Sequence, residues 1–131
     1  ISEIEEFITQ LYNFIPEDIN LEDYQNDFKI KAIGERYFEK IIEAVEDLAF
    51  LVINHKEFKY PEYEKEVFDI LYENKLIREE LAKRLKAAKG MRNIIAHQYG
   101  EIDDELVFKA ISQELEKDVN EFIDLIEKGI E

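Results

Sequence analysis

Four residues inside one eight-residue window could do chemistry: Arg92, Asn93, His97 and Tyr99. An imidazole titrates near neutrality, so it can take or give a proton at working pH. A guanidinium keeps its charge and offers a planar fork of donors that fits a phosphate. An asparagine can orient a hydroxyl or a water. Together such groups could help the 2′-hydroxyl of RNA attack its own neighbouring phosphate. The products would be a 2′,3′-cyclic phosphate and a 5′-hydroxyl, with no metal needed. Asn93 and His97 are four apart and share a helix face. Arg92 and Tyr99 are seven apart and align if the helix continues. Arg92 and His97 lie about 140° apart around a helix axis. Their convergence therefore needs a bent turn, long side-chain reach or a second subunit. Spacing alone also fits a structural histidine, a helix-end asparagine and a core tyrosine with its hydroxyl at the rim.

Other chemistries find less support. His55 and His97 are the two histidines, and neither sits in a metal-ligand motif. There are no cysteines, which excludes disulfides and thiolate metal sites. We therefore expect no metal and no cofactor. His55, near a helix end, reads as a capping or surface residue.

The net charge of −15 argues against nucleic acid as a partner, but its distribution does not. Residues 1–28 carry eight acids and no base, and residues 101–131 carry eleven acids against three lysines. Residues 75–100 run the other way: seven bases against Glu79 and Glu80, a local +5. Lys83, Arg84, Lys86 and Lys89 in that run are candidate contacts to an RNA backbone, or else part of a solvated helix face.

The elements that must position these groups are helices. The 131 residues predict one domain, spanning 1–131. Four glycines and two prolines argue against a β-sandwich or a glycine-rich dinucleotide fold. Ser2, with Glu5 three residues on, is a candidate cap for a first helix. Its stripe is Ile4, Phe7, Ile8, Leu11 and Phe14 or Ile15, stopped by Pro16. Asn20 or Asp18 caps a long second helix over 21–54. Its stripe is Tyr37, Ile41, Ala44, Val45, Leu48, Leu51 and Val52, with Gly34 a candidate irregularity. Glu39, Glu43, Glu46 and Asp47 fall mostly on other faces. A turn over 55–61 ends at Pro61. A third helix over 62–73 uses Tyr63, Val67, Phe68, Ile70 and Leu71, and Asn74 breaks it. A fourth runs from 77 into the low nineties, where Gly90 permits a close approach or marks a bend. Gly100 sits at a natural C-cap. Asp103 caps the last helix, with Val107, Ile111, Leu115, Val119, Phe122 and Ile126 on one stripe. Short connections between such helices give an all-α antiparallel bundle of four or five helices. Sixteen aromatic residues are many for that size, so some are expected to pack between two copies. No run approaches a membrane span, no basic-then-apolar leader opens the residues given, and a cytoplasmic protein is expected.

The segment RNIIAHQY, residues 92–99, resembles the signature of the HEPN superfamily: Arg, often Asn, then four to six residues to His. It is similar to the more specific HepT toxin form, Arg–four residues–His–any–Tyr. Residues 32–49, 81–93 and 99–111 resemble that family's second helix, the approach to its site and its exit. The resemblance implies an all-helical homodimer acting as a metal-independent RNA endonuclease. Arg92 and His97 would be the catalytic pair, with Asn93 assisting and two motifs lining an interface groove. It also implies a toxin paired with a small nucleotidyltransferase antitoxin, which transfers AMP from ATP to Tyr99. Glu46 or Asp47 would support the polar network. Some HEPN domains only bind nucleotides or partners, so a catalytically silent binding module is the alternative.

Overall fold

The computed structural model describes residues 1–16, 18–59 and 67–130. Its α-helices are α1 (Ser2–Phe14), α2 (Leu21–Asn26), α3 (Phe28–His55), α4 (Val67–Glu73), α5 (Glu79–His97), α6 (Asp104–Lys109) and α7 (Leu115–Ile130). A 3-10 turn, Tyr99–Glu101, follows α5, and a π-helical turn, Ala110–Glu114, joins α6 to α7. The long elements are therefore α1, α3, α5 and the continuous α6–α7 rod. They form the all-α antiparallel bundle expected from the sequence, with α3 touching every other long helix. Pro61, Tyr63 and the start of the third predicted helix lie outside the described residues.

One core runs through the bundle. Its largest fully buried side chains include Tyr24, Phe38, Phe68 and Phe122. On α1, Ile4, Ile8, Leu11 and Ile15 are buried, whereas Phe14 is 54% exposed. Ser2 is the first helical residue rather than the cap, and no side chain caps α1. Asn20 does cap α2, accepting from the Asp23 amide at 2.8 Å.

The predicted 21–54 helix is two helices. Asp27 breaks it, because its Oδ1 accepts from the amides of Lys29 (3.0 Å) and Ile30 (3.1 Å) and caps α3. Gly34 is no irregularity; it is a buried contact inside α3. A Cβ there would lie 3.1 Å from both Ile111 Cδ1 and Tyr24 Oη. The buried face of α3 is Phe38, Ile41, Ile42, Val45, Ala49, Val52 and Ile53. Leu51, expected in the stripe, is 64% exposed, and Glu46, expected off it, is 4% exposed. A central helix packed on several sides has no single stripe, so periodicity misassigns its margins.

After α4, Asn74 donates from Nδ2 to the Ile70 carbonyl at 2.8 Å and Lys75 turns left-handed at φ 64. Gly90 lies inside the continuous helix α5 and admits no close neighbour among the described residues, since a Cβ there would meet nothing within 4 Å. Gly100 is not a left-handed cap, as no glycine has positive φ. Gln98 ends α5 instead. Asp103 caps α6 as expected, accepting from Glu105 at 3.0 Å and Leu106 at 3.3 Å. Val107, Ile111, Leu115, Val119, Phe122 and Ile126 are all buried. Three successive four-residue steps would drift by about 120° on an ideal α-helix. The wider π turn between Ile111 and Leu115 absorbs that drift. Tyr12 supports it by donating to the Ile111 carbonyl at 2.5 Å. Burial pushes the Tyr12 hydroxyl up to about 12.

Candidate active site

Arg92, Asn93 and His97 all lie on the C-terminal half of α5. Arg92 is held from two directions. Its Nη2 donates to Glu46 Oε1 on α3 at 3.3 Å, and its Nε donates to Asn93 Oδ1 at 3.0 Å. Glu46 also meets Lys89, whose Nζ lies 2.5 Å from Oε2. Side chains of Glu46, Lys89 and Arg92 are 5%, 6% and 12% exposed, so this three-residue network is largely dry. A buried carboxylate between two cations offsets part of the cost of burying these charges. Asn93 and His97 are both exposed. They share one face of α5. The Arg92–Asn93 bond thus couples the guanidinium to the face that presents the imidazole. The bond also orients the Asn93 amide, leaving its NH2 group pointing away from Arg92.

Tyr99 does not continue that helix. Gln98 leaves α5 with φ −133 and ψ 51, and Tyr99 begins the 3-10 turn, 62% exposed. Its hydroxyl donates to Glu35 Oε1 on α3 at 3.5 Å rather than pairing with Arg92. Glu35 is 4% exposed, and burial raises its carboxyl above the ordinary value. Lys31 opposes that rise, Asp104 adds to it, and the Tyr99 hydrogen bond opposes it. Lys31 pairs with Asp104 at 3.1 Å, which raises the lysine.

The basic run is mostly committed within the chain. Arg84 pairs with Asp118 at 2.9 Å and Glu121 at 3.4 Å, and Arg78 also pairs with Glu121. Lys86 holds Asp69 at 2.9 Å, and Lys83 holds Glu79 at 3.3 Å. Lys83 and Lys86 remain exposed; Lys89 is buried against Glu46. Of the two proposed supporting acids, Glu46 meets the site and Asp47 is exposed. Sequence reasoning missed Glu35, Lys31 and Asp104. The i,i+4 spacing of Lys31 and Glu35 was a visible signal, but nothing local ties either to Tyr99, 64 residues beyond Glu35.

A helical bundle with Arg–Asn–three residues–His ending a long helix, and a tyrosine just past it, is a HEPN-type domain. The family model described as Ribonuclease HepT-like matches residues 1–126, and the chain belongs to that family. A tRNA nuclease HepT from Aphanizomenon flos-aquae is 32% identical over 101 residues, 77% of this chain and 69% of that relative. An mRNA nuclease HepT from Shewanella oneidensis is 29% identical over 103 residues, 79% of this chain and 77% of that relative. A solved structure of a tri-AMPylated Shewanella oneidensis HEPN toxin in complex with MNT antitoxin superposes with a TM-score of 0.86. It is 25% identical and covers 97% of this chain and 92% of that chain. Among the described residues, no helix is long and apolar enough to cross a membrane.

Proposed function

We infer that this protein is the ribonuclease toxin of a toxin–antitoxin pair, neutralised by a nucleotidyltransferase. The observation that carries the catalytic reading is the fixed Arg92. Glu46 and Asn93 hold the guanidinium at the edge of the face that presents His97. Arg92 is the phosphate-binding and charge-stabilising group. His97 is the proton-transfer group for the 2′-hydroxyl and the departing 5′-oxygen, and Asn93 orients the attacking hydroxyl. Cleavage leaves a 2′,3′-cyclic phosphate and needs no metal. Lys83 and Lys86, exposed further up α5, extend the track along the RNA backbone.

Two copies of the motif line one groove in a homodimer. Support comes from large apolar side chains left exposed, among them Phe28 (77%), Tyr99 (62%) and Leu106 (53%). A substrate of RNA and an antitoxin that consumes ATP support a cytoplasmic location.

Tyr99 is the AMP acceptor. Its side chain, 62% exposed, is accessible to another protein. Its partner Glu35 and the Arg92 partner Glu46 are eleven residues apart on α3, about 16 Å along the axis. The first nucleotide therefore silences the site by filling the groove at its His97 end. A longer AMP chain would reach the Arg92 end and compete for the guanidinium.

The test is cleavage of RNA by purified, unmodified protein in excess EDTA, with end-group analysis. His97→Ala is expected to lower the rate by roughly 10²–10⁴-fold, and Arg92→Ala to lower it severely. Cleavage retained in both variants would refute the assignment. No cleavage by the unmodified wild type would favour the silent binding module.

A further inference from the structure

Glu35 has no part in cutting RNA at Arg92 and His97, yet its placement is costly. It is 4% exposed, and its Oε2 has no hydrogen-bond partner. Burying a carboxylate with an orphaned oxygen is unfavourable. Its other oxygen faces the Tyr99 hydroxyl at 3.5 Å. That is long for an O–H···O bond, and a small rotation of the exposed phenol would close it. A shallow pocket of about 90 Å³ opens here, lined by Lys31, Glu35, Tyr99, Ile102 and Asp104.

We propose that Glu35 is the proton acceptor for the Tyr99 hydroxyl when that oxygen takes up a nucleotide. The proposal rests on Tyr99 being the AMP acceptor. The co-reactant is a nucleoside triphosphate brought by the nucleotidyltransferase. The phenolic oxygen forms a bond to the α-phosphorus, the bond from that phosphorus to the oxygen bridging to the β-phosphorus breaks, and pyrophosphate leaves. The phenol proton passes to Glu35 Oε1 and from there to water. Four groups face the carboxylate. Lys31 comes from its own helix, Asp104 from α6, Tyr99 from the 3-10 turn and Tyr24 from α2. Burial disfavours the ionised form of Glu35, which makes it a stronger base toward a phenol than an exposed glutamate. While it holds the proton Glu35 is neutral, so the phosphorus–oxygen bond forms without a carboxylate charge against it. Lys31, 3.1 Å from Asp104, supplies a cation at the same pocket.

The experiment follows intact mass over time in the toxin–transferase pair with ATP and Mg²⁺, across pH. In wild type the rate of first AMP addition falls on the acid side as Glu35 protonates. Glu35→Gln is expected to slow that addition about 100-fold, the low end for a positioned proton acceptor, and to flatten that limb. Glu35→Asp sets the carboxylate one methylene back, so the rate falls and the limb stays. A wild-type rate and pH profile in either variant overturns the proposal. The Tyr99 reading fails separately: if Tyr99→Phe gains the same mass as wild type, the acceptor lies elsewhere, and the role of Glu35 falls with it.

Discussion

Replacing Glu46 by glutamine tests whether the dry network beneath Arg92 is as strong as its burial implies. Glu46 is 4% exposed and lies between Lys89 and Arg92, at 2.5 and 3.3 Å. Removing one partner of a buried ion pair costs about 3–5 kcal/mol, because the charge left behind is uncompensated. Glutamine keeps an oxygen that can accept from one cation, so the expected loss is about 3 kcal/mol. Against a typical total of about 5–15 kcal/mol, that is a large fraction. In urea the midpoint should fall by about 1–3 M with an unchanged slope. A Glu46→Gln, Lys89→Met cycle isolates the pair. The double variant should be less destabilised than the sum of the singles by at least about 1 kcal/mol. A Glu46→Gln midpoint within error of wild type, or strict additivity in the cycle, would show that Lys89 and Arg92 do not depend on Glu46.

The raised Glu35 carboxyl fixes a sign. The folded state holds that proton to higher pH than the unfolded chain, so its contribution is full at acid pH and is lost as pH rises through the folded value. Glu35→Gln should melt close to wild type near about pH 4 and above it at about pH 8; a lower melting temperature at the higher pH would contradict the assignment. Gly34→Ala and Gly90→Ala should differ in sign. The first places a Cβ 3.1 Å from Ile111 and Tyr24 and the second meets nothing within 4 Å. Thermal melts should show a net loss for the first, since overpacking costs about 1–3 kcal/mol, and a gain of up to about 1 kcal/mol for the second. Light scattering at micromolar protein should report two copies of 15.7 kDa, and a strict monomer would remove the shared groove.

The all-helical class and the position of the candidate site could be read locally. Amphipathic repeats, scarce glycine and the cap at Asp103 are decided by neighbours in the chain. Asp27 was equally local, but its capping role competes with the continuation of a helix pattern, and pattern alone favoured the longer helix. The Asn93–His97 spacing identified one face of one helix, and α5 runs to His97 as that spacing requires.

What the sequence could not settle was which charges are buried and against what. Lys89 reads as one more base in an exposed run, and Glu46 as one of two acids, with Asp47, that only the family resemblance nominated. Their pairing depends on α3 and α5 packing at a particular rotation, which is a property of two helices and not of either. The same holds for Tyr99. The sequence put it in register with Arg92 only if the helix continued past His97. The break at Gln98 turned it instead toward Glu35. Local sequence determined the helices and the order of reactive groups along α5. Tertiary packing alone decided that Arg92 rests on Glu46 and Tyr99 on Glu35, because burial of a charge is favourable only where a distant partner is brought to meet it.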